Sequence, residues 1–194
     1  EAIAHILNNF ANRLHNLGHR EDALAAVEGS VKLYRQLATS QPNVFMPELA
    51  MSLNNLANCL CDLGRYEDAL EMAEEAIRIR RQLAATDPDS FLPHLASSLN
   101  NLANTLSNLG RRDDALVTAE EACKLYQQLA TTCPDTYLSD VAMSLNNLAG
   151  RLSDIGRPAE ALSTAIEAIH IRRQLAVAHP DAFLPDLAMS LNNL

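Results

Sequence analysis

The chain has 194 residues, is 48% hydrophobic but only 4% aromatic, lacks tryptophan, and carries a net charge of −9 from 24 acidic and 15 basic side chains. No apolar run approaches the roughly 20 residues of a membrane-spanning helix, and the acidic balance lacks the clustered Lys and Arg that nucleic-acid phosphates demand. No membrane span, and neither a membrane nor a nucleic-acid partner, is therefore expected.

Read from its start, the chain presents Leu7-Asn8-Asn9-Phe10, and the same phrase returns as Leu-Asn-Asn-Leu at 53–56, 99–102, 145–148 and 191–194, always 46 residues apart. Gly18, Gly64, Gly110 and Gly156 keep that spacing, as do Pro42, Pro88, Pro134 and Pro180. A fixed period of this size marks a repeat array, in which each unit buries its apolar face only by stacking on the next. The repeats are 1–46, 47–92, 93–138 and 139–184, with a partial fifth at 185–194, read as one continuous solenoid over 1–194. Residues 1–4 lack the Pro-acid-Leu-Ala opening seen at Pro47 to Ala50 and the last residues stop in mid-helix, so a fragment of a longer protein is expected.

Within each repeat two helices are expected. Leu49, Leu53, Leu56, Leu60 and Leu63 step by four and three residues along one stripe of helix A, as an amphipathic helix requires. This helix is expected to begin at Pro47, Pro93 or Pro185, because proline suits a first turn whose N–H would be unpaired, and to end at the glycine, which suits a left-handed C-cap. In helix B, Ala69, Leu70, Ala73, Ala76, Ile77, Leu83 and Ala84 form the inner face. Acidic Glu67, Asp68 and Glu71 precede basic Arg78, Arg80 and Arg81, an order that complements the helix dipole. Ala11, Ala57, Ala103 and Ala149 on helix A, and Ala23, Ala69, Ala115 and Ala161 on helix B, stay small in every copy, which lets helices approach closely. Helix B is expected to end before Pro42, Pro88, Pro134 or Pro180. A linker such as Asp89-Ser90-Phe91-Leu92 follows, pinned by the aromatic at Phe45, Phe91, Tyr137 or Phe183.

Charge and cysteine are unevenly spread. Residues 47–92 hold nine acidic side chains against four basic ones, more than half of the acidic excess; an acid-rich surface weakly favours basic or neutral protein partners. Cys59, Cys61, Cys123 and Cys133 do not follow the period, and Cys59 and Cys61 lie two apart on one helix, pointing in different directions. A disulfide framework is not expected, which favours a reducing, cytoplasmic compartment. Leu33-Tyr34 and Leu125-Tyr126 alternate with Ile79-Arg80 and Ile171-Arg172, read as duplication of a two-repeat unit, the alternative being a ridge of alternating aromatic and basic contacts on helix B.

Catalytic chemistry finds no foothold. There is no Gly-rich phosphate loop, no His-Glu-x-x-His, no Cys-x-x-Cys and no nucleophile elbow. His15 and His19 straddle the helix-ending Gly18 and lack further zinc ligands. Cys123 stands where Ile77 and Ile169 stand and reads as a small buried hydrophobe, while Cys133 is expected to be exposed. No enzyme activity, metal or cofactor is expected.

Leu99, Leu102-Ala103, Leu106, Gly110, Ala115, Ala119 and Ala122 resemble the signature of the tetratricopeptide repeat, with alanine in place of its usual glycine after Leu102 and of its usual helix B aromatic. The period is longer than the family's, and the Leu-Asn-Asn-Leu-Ala phrase is similar to repeats of kinesin light chains and of fungal and bacterial signalling proteins. The resemblance implies an all-α, right-handed superhelical solenoid of antiparallel helix pairs, a scaffold whose helix A residues line a groove for a partner's peptide or helix. It places in that groove Asn8, Asn9 and Asn12, then Asn54, Asn55 and Asn58, then Asn100, Asn101 and Asn104, then Asn146 and Asn147. Met51, Met143 and Met189 would add adaptable apolar contacts.

Asparagine is a mediocre helix former, so its recurrence asks for a reason. Its amide offers donors and an acceptor to a peptide backbone, or alternatively satisfies polar groups at the joint between repeats; within each pair the two roles are expected to be split. Basic clamps for a partner's terminal carboxylate are absent, since Arg13 and Arg151 fall one place past the groove-facing positions. The alternative reading is a spacer or sensor arm of a larger multidomain signalling protein, with end-to-end self-association of the fragment.

Overall fold

The structure, a computed structural model, describes residues 1–192, without the side chains of Met189 and Asn192. The Met189 contact and the end of the last Leu-Asn-Asn-Leu, at 192–194, thus lie outside the described residues. Those residues form helices α1 (Ala2–Asn16), α2 (Arg20–Ser40), α3 (Pro42–Asp62), α4 (Tyr66–Thr86), α5 (Pro88–Asn108), α6 (Arg112–Thr132), α7 (Pro134–Asp154), α8 (Pro158–Ala178) and α9 (Pro180–Asn192), and no strand. Odd-numbered helices are helix A and even-numbered ones helix B.

The expected linker is helix. Helix B ends at Ser40, Thr86, Thr132 or Ala178, and a single residue, Gln41, Asp87, Cys133 or His179, separates it from the next helix A. Pro42, Pro88, Pro134 and Pro180 occupy the first turn of helix A, where the missing N–H costs nothing. Pro47, Pro93 and Pro185, expected to begin helix A, instead lie inside it. Each removes one intrahelical hydrogen bond, to the carbonyl four residues earlier. Those residues, Asn43, Asp89 and Asp181, are exposed, so water can reach the carbonyls.

Extending helix A in this way places its aromatic against the preceding helix B. Phe45 is buried, with its ring 6.4 Å from that of buried Tyr34. Phe91, Tyr137 and Phe183 hold the same place half-buried. Each complete 46-residue period from Pro42 to His179 thus consists of two 21-residue helices and two short corners.

The corner from A to B closes as the sequence indicates. Gly64 has φ +73°, a left-handed backbone that side chains resist. Its N–H donates to the Cys61 carbonyl, and that of Arg65 reaches back to the Leu60 carbonyl, each at 2.9 Å, the paired bonds of a Schellman cap.

The chain divides into two compact units, Glu1–Leu109 and Gly110–Leu194. In the first, α1 to α5 pack each on the next, with helix A also meeting helix A in α1 against α3 and α3 against α5. Its core gathers Val27, Tyr34, Leu49, Leu53, Leu60 and Ile79. Ala23 and Ala69 are fully enclosed, as the close approach of helices requires. In the second unit α6 packs on α7, α7 on α8 and α8 on α9, with Ala119, Ala122, Val141, Leu145 and Leu152 inside.

Candidate peptide-binding face

The asparagines of helix A do not form one uniform ladder. The first of each pair turns inward. Asn8 is buried and its Oδ1 accepts a hydrogen bond of 3.1 Å from Asn55 Nδ2. Asn54 Oδ1 accepts from the hydroxyl of Ser98 on the next helix A, at 2.8 Å. In the second unit Asn146 Nδ2 donates to Ser190 Oγ at 2.9 Å. Asn100 is 3% exposed, and neither amide atom has a hydrogen-bond partner among the described residues.

The remaining positions are more open. Asn9, Asn12 and Asn104 are exposed, and Asn55, Asn58, Asn101 and Asn147 are half-buried. Asn9 Nδ2 lies 3.3 Å from a ring nitrogen of His5 one turn earlier. Asn12, Asn58, Asn101, Asn104 and Asn147 make no side-chain hydrogen bond among the described residues, so their amides are available. Met51 and Met143 are exposed beside them. Gly150 stands where three copies carry Asn12, Asn58 and Asn104; there a cleft of about 560 Å³ opens, lined by Asn146, Ser153 and Leu162 among others.

Two residues that the sequence marked only by their alternation with tyrosine, Arg80 and Arg172, set the inward asparagines. Arg80 of helix B is only 7% exposed; it donates to the His94 carbonyl at 2.6 Å and to Ser98 Oγ. Ser98 in turn donates to Asn54. Arg172 repeats the arrangement, donating to the Asp186 carbonyl at 2.8 Å and to Ser190 Oγ, which Asn146 also meets. Burial outweighs the nearby Asp186 and holds the Arg172 guanidinium below its usual pKa. The alternation of Tyr34 and Arg80 is therefore a change of joint. At the Tyr34 joint a smaller device operates: Ser30 donates to the Ala4 carbonyl at 2.9 Å and meets Ser52 at 3.1 Å. The recurrence of serine at 52, 98, 144 and 190 was the sequence signal for this.

All four cysteines are free, with Cys59 and Cys123 buried and Cys133 exposed. Burial, and then the charge of Asp62, push the Cys59 thiol up to about 11. A raised thiol pKa leaves less of the reactive thiolate at any working pH. At pH 8, Ellman's reagent is expected to titrate Cys133 at once in the native protein and Cys59 only after denaturation. Immediate reaction of more than one thiol, with mass spectrometry placing a label on Cys59, would contradict the packing of α3.

Among the described residues no group of three or more His, Cys, Asp or Glu is placed to hold a metal ion. Among the described residues no helix is long and apolar enough to cross a membrane.

Comparison with known proteins agrees with this architecture. One tetratricopeptide repeat model matches residues 48–128 and a second matches 3–38 and 141–181. No curated protein sequence shows significant similarity to the chain. Among solved structures, BtubC (BKLC) from P. vanneervenii superposes with a TM-score of 0.74 at 22% identity, over 89% of this chain and 64% of that one. A Podosopora anserina protein named for kinesin light chain, with nearly identical TPR-like repeats, gives 0.71 at 21% identity over 97% of this chain and 85% of that one. A substituted form of that protein gives 0.73 at 20%, over 99% and 87%. At these identities the likeness is one of fold.

Proposed function

Because the chain belongs to the tetratricopeptide repeat family, whose repeats mediate protein–protein interaction, we propose that it is a scaffold that holds a partner's peptide or helix against the asparagine-bearing face of helix A. The array 1–194 is read as one solenoid on its unbroken period, in a reducing, cytoplasmic setting, without catalytic chemistry of its own.

The observation that carries this reading is the division of labour among the asparagines. Where every asparagine engaged in a joint, the residue type would be explained by structure alone. Instead Asn12, Asn58, Asn101, Asn104 and Asn147, exposed or half-buried, engage no side-chain hydrogen bond among the described residues. An open amide can pair with main-chain groups of a bound segment without strong choice of sequence. Specificity then falls to neighbouring pockets and to the acid-rich second repeat.

Peptides selected by display against the protein provide the test. Substituting Asn101 and Asn104 together by alanine is expected to weaken the selected peptides by about tenfold or more, about 1.4 kcal/mol, while the far-ultraviolet circular dichroism and the melting temperature hardly move. Equal binding by the variant would sink the proposal.

A spacer or sensor arm of a larger signalling protein, with end-to-end association of the array, is favoured by a different observation. Ile3 and Phe10 on α1 are 67% and 52% exposed, whereas their counterparts Leu49 and Leu56 are 4% and 6% exposed. Sedimentation velocity over a hundredfold range of concentration decides it; a constant monomer would count against association.

A further inference from the structure

The two buried arginines make the same contacts under different neighbours. Arg80 crosses from α4 to α5, where it donates to the His94 carbonyl at 2.6 Å and to Ser98 Oγ; Ser98 in turn donates to Asn54 on α3. Arg172 crosses from α8 to α9 in the same way, with Asp186 in the place of His94, Ser190 in that of Ser98, and Asn146 meeting the serine. A carboxylate beside a guanidinium attracts it, and Asp186 acts on Arg172 in that sense. An imidazole in the same place is indifferent while neutral and repels once it is protonated.

His94 is placed to make that change. It lines, together with Arg80, a cavity of about 170 Å³ between α3, α4 and α5. The charged residues of that cavity are Arg80 from α4 and Glu48 from α3, and α5 adds none besides His94. Of the two, Arg80 prevails. The residue keeps enough exposure for a proton to reach the ring, while burial, and then the Arg80 charge, hold the imidazole below its usual pKa. A proton on His94 therefore sets a second positive charge against the arginine, at a joint whose other members, Ser98 and Asn54, carry no charge to offset it.

We propose that the α4–α5 joint is an acid-sensitive latch: protonated His94 repels the Arg80 guanidinium from the His94 carbonyl and from Ser98, Ser98 turns, and the Asn54 amide is freed. The unfolded chain takes up this proton at about pH 6.5 and the folded chain only at lower pH. The joint is thus at full strength above that value and loses stability as the pH falls through it and below. The α8–α9 joint gains no positive charge from Asp186, so it holds over a range in which the first joint yields. This response belongs to the joint alone and does not depend on a peptide binding the asparagine face.

The test titrates the whole protein, without added ligand, from pH 8 to pH 5.5, following the His94 ring and the side-chain amides of Asn54 and Asn146 by nuclear magnetic resonance. The ring is expected to be less than half protonated at pH 6.5, and the Asn54 amide to shift in step with it, while the Asn146 amide stays in place. His94→Gln keeps the backbone carbonyl that Arg80 grips and removes the titrating ring. In that variant the Asn54 amide should hold its position across the range, and the urea midpoint should fall less between pH 8 and pH 5.5 than in the parent. A ring half or more protonated at pH 6.5, an Asn54 amide that moves independently of the ring, or the same movement in the His94→Gln protein would each overturn the proposal. The titration of the parent needs no variant, so it decides the matter even if His94→Gln folds poorly.

Discussion

Replacing Arg80 by alanine is expected to cost about 1.5–3 kcal/mol of stability, the range for a hydrogen bond to a charged group. The expectation follows from what the guanidinium leaves behind. Arg80 spans the joint between α4 and α5, and without it the part-buried His94 carbonyl and the buried Ser98 hydroxyl lose a charged donor. Ser98 also donates to Asn54, so its reorientation frees the Asn54 amide. Two readouts separate this from a simple loss of volume. The guanidinium chloride midpoint should fall at unchanged slope, and the side-chain amide protons of Asn54 should change shift and exchange faster. Arg80→Lys should recover part of the loss, since an ammonium can reach one acceptor but lacks the fork. Arg80→Tyr installs the residue that copies one and three carry at Tyr34 and Tyr126. A loss under about 0.5 kcal/mol for Arg80→Ala, the size of an ordinary surface change, would show that the joint does not depend on it.

The second large effect lies in the apolar core. Leu53 is fully enclosed at the centre of α3, and Leu53→Ala is expected to cost about 2–5 kcal/mol through lost transfer energy and the cavity left behind. Ile6→Ala, at a side chain 63% exposed, should cost less than about 0.5 kcal/mol. In a repeat array each unit is stabilised mainly by its neighbours. Hydrogen exchange should therefore quicken most in α2, α3 and α4, and less in α7 and α8. A uniform increase across all helices would mean that the chain unfolds as one block.

These effects show where the sequence spoke plainly and where it did not. The helix pairs, the enclosed alanines and the left-handed Gly64 were legible because each is a local pattern: a stripe of leucines at steps of three and four, a small residue at a fixed place, a glycine after the last apolar residue. The start of helix A was not legible. Pro42 and Pro47 lie five apart and each suits a first turn, so the local rule could not choose between them. The choice is made by packing, which brings Phe45 onto Tyr34 only when the helix begins at the earlier proline. The division among the asparagines was legible in kind, as an expected split of roles, but not in its cause. Arg80 and Ser98 are 18 residues apart, and Ser98 and Asn54 are 44 apart; pairings at that distance leave no periodic trace on one helix.

The one-residue corners between helix B and helix A bear on how such a chain could change over generations. Gln41, Asp87, Cys133 and His179 adopt nearly the same backbone angles, with φ between −133° and −140° and ψ between 72° and 82°. Each is at once the end of one rod and the beginning of the next. Such a corner has no slack, so adding or losing one amino acid there would rotate every later helix by about 100° about its axis and turn its leucines toward water. Gene changes that add or remove a whole 46-residue module leave every corner as it was. Whole 46-residue modules are thus the unit in which such an array can be lengthened with its packing kept, whereas a single-residue insertion at a corner is expected to destabilise it. The near-identity of Leu-Asn-Asn-Leu from copy to copy, which makes the modules interchangeable in the protein, would also make their coding segments align out of step and so supply the raw variation in copy number.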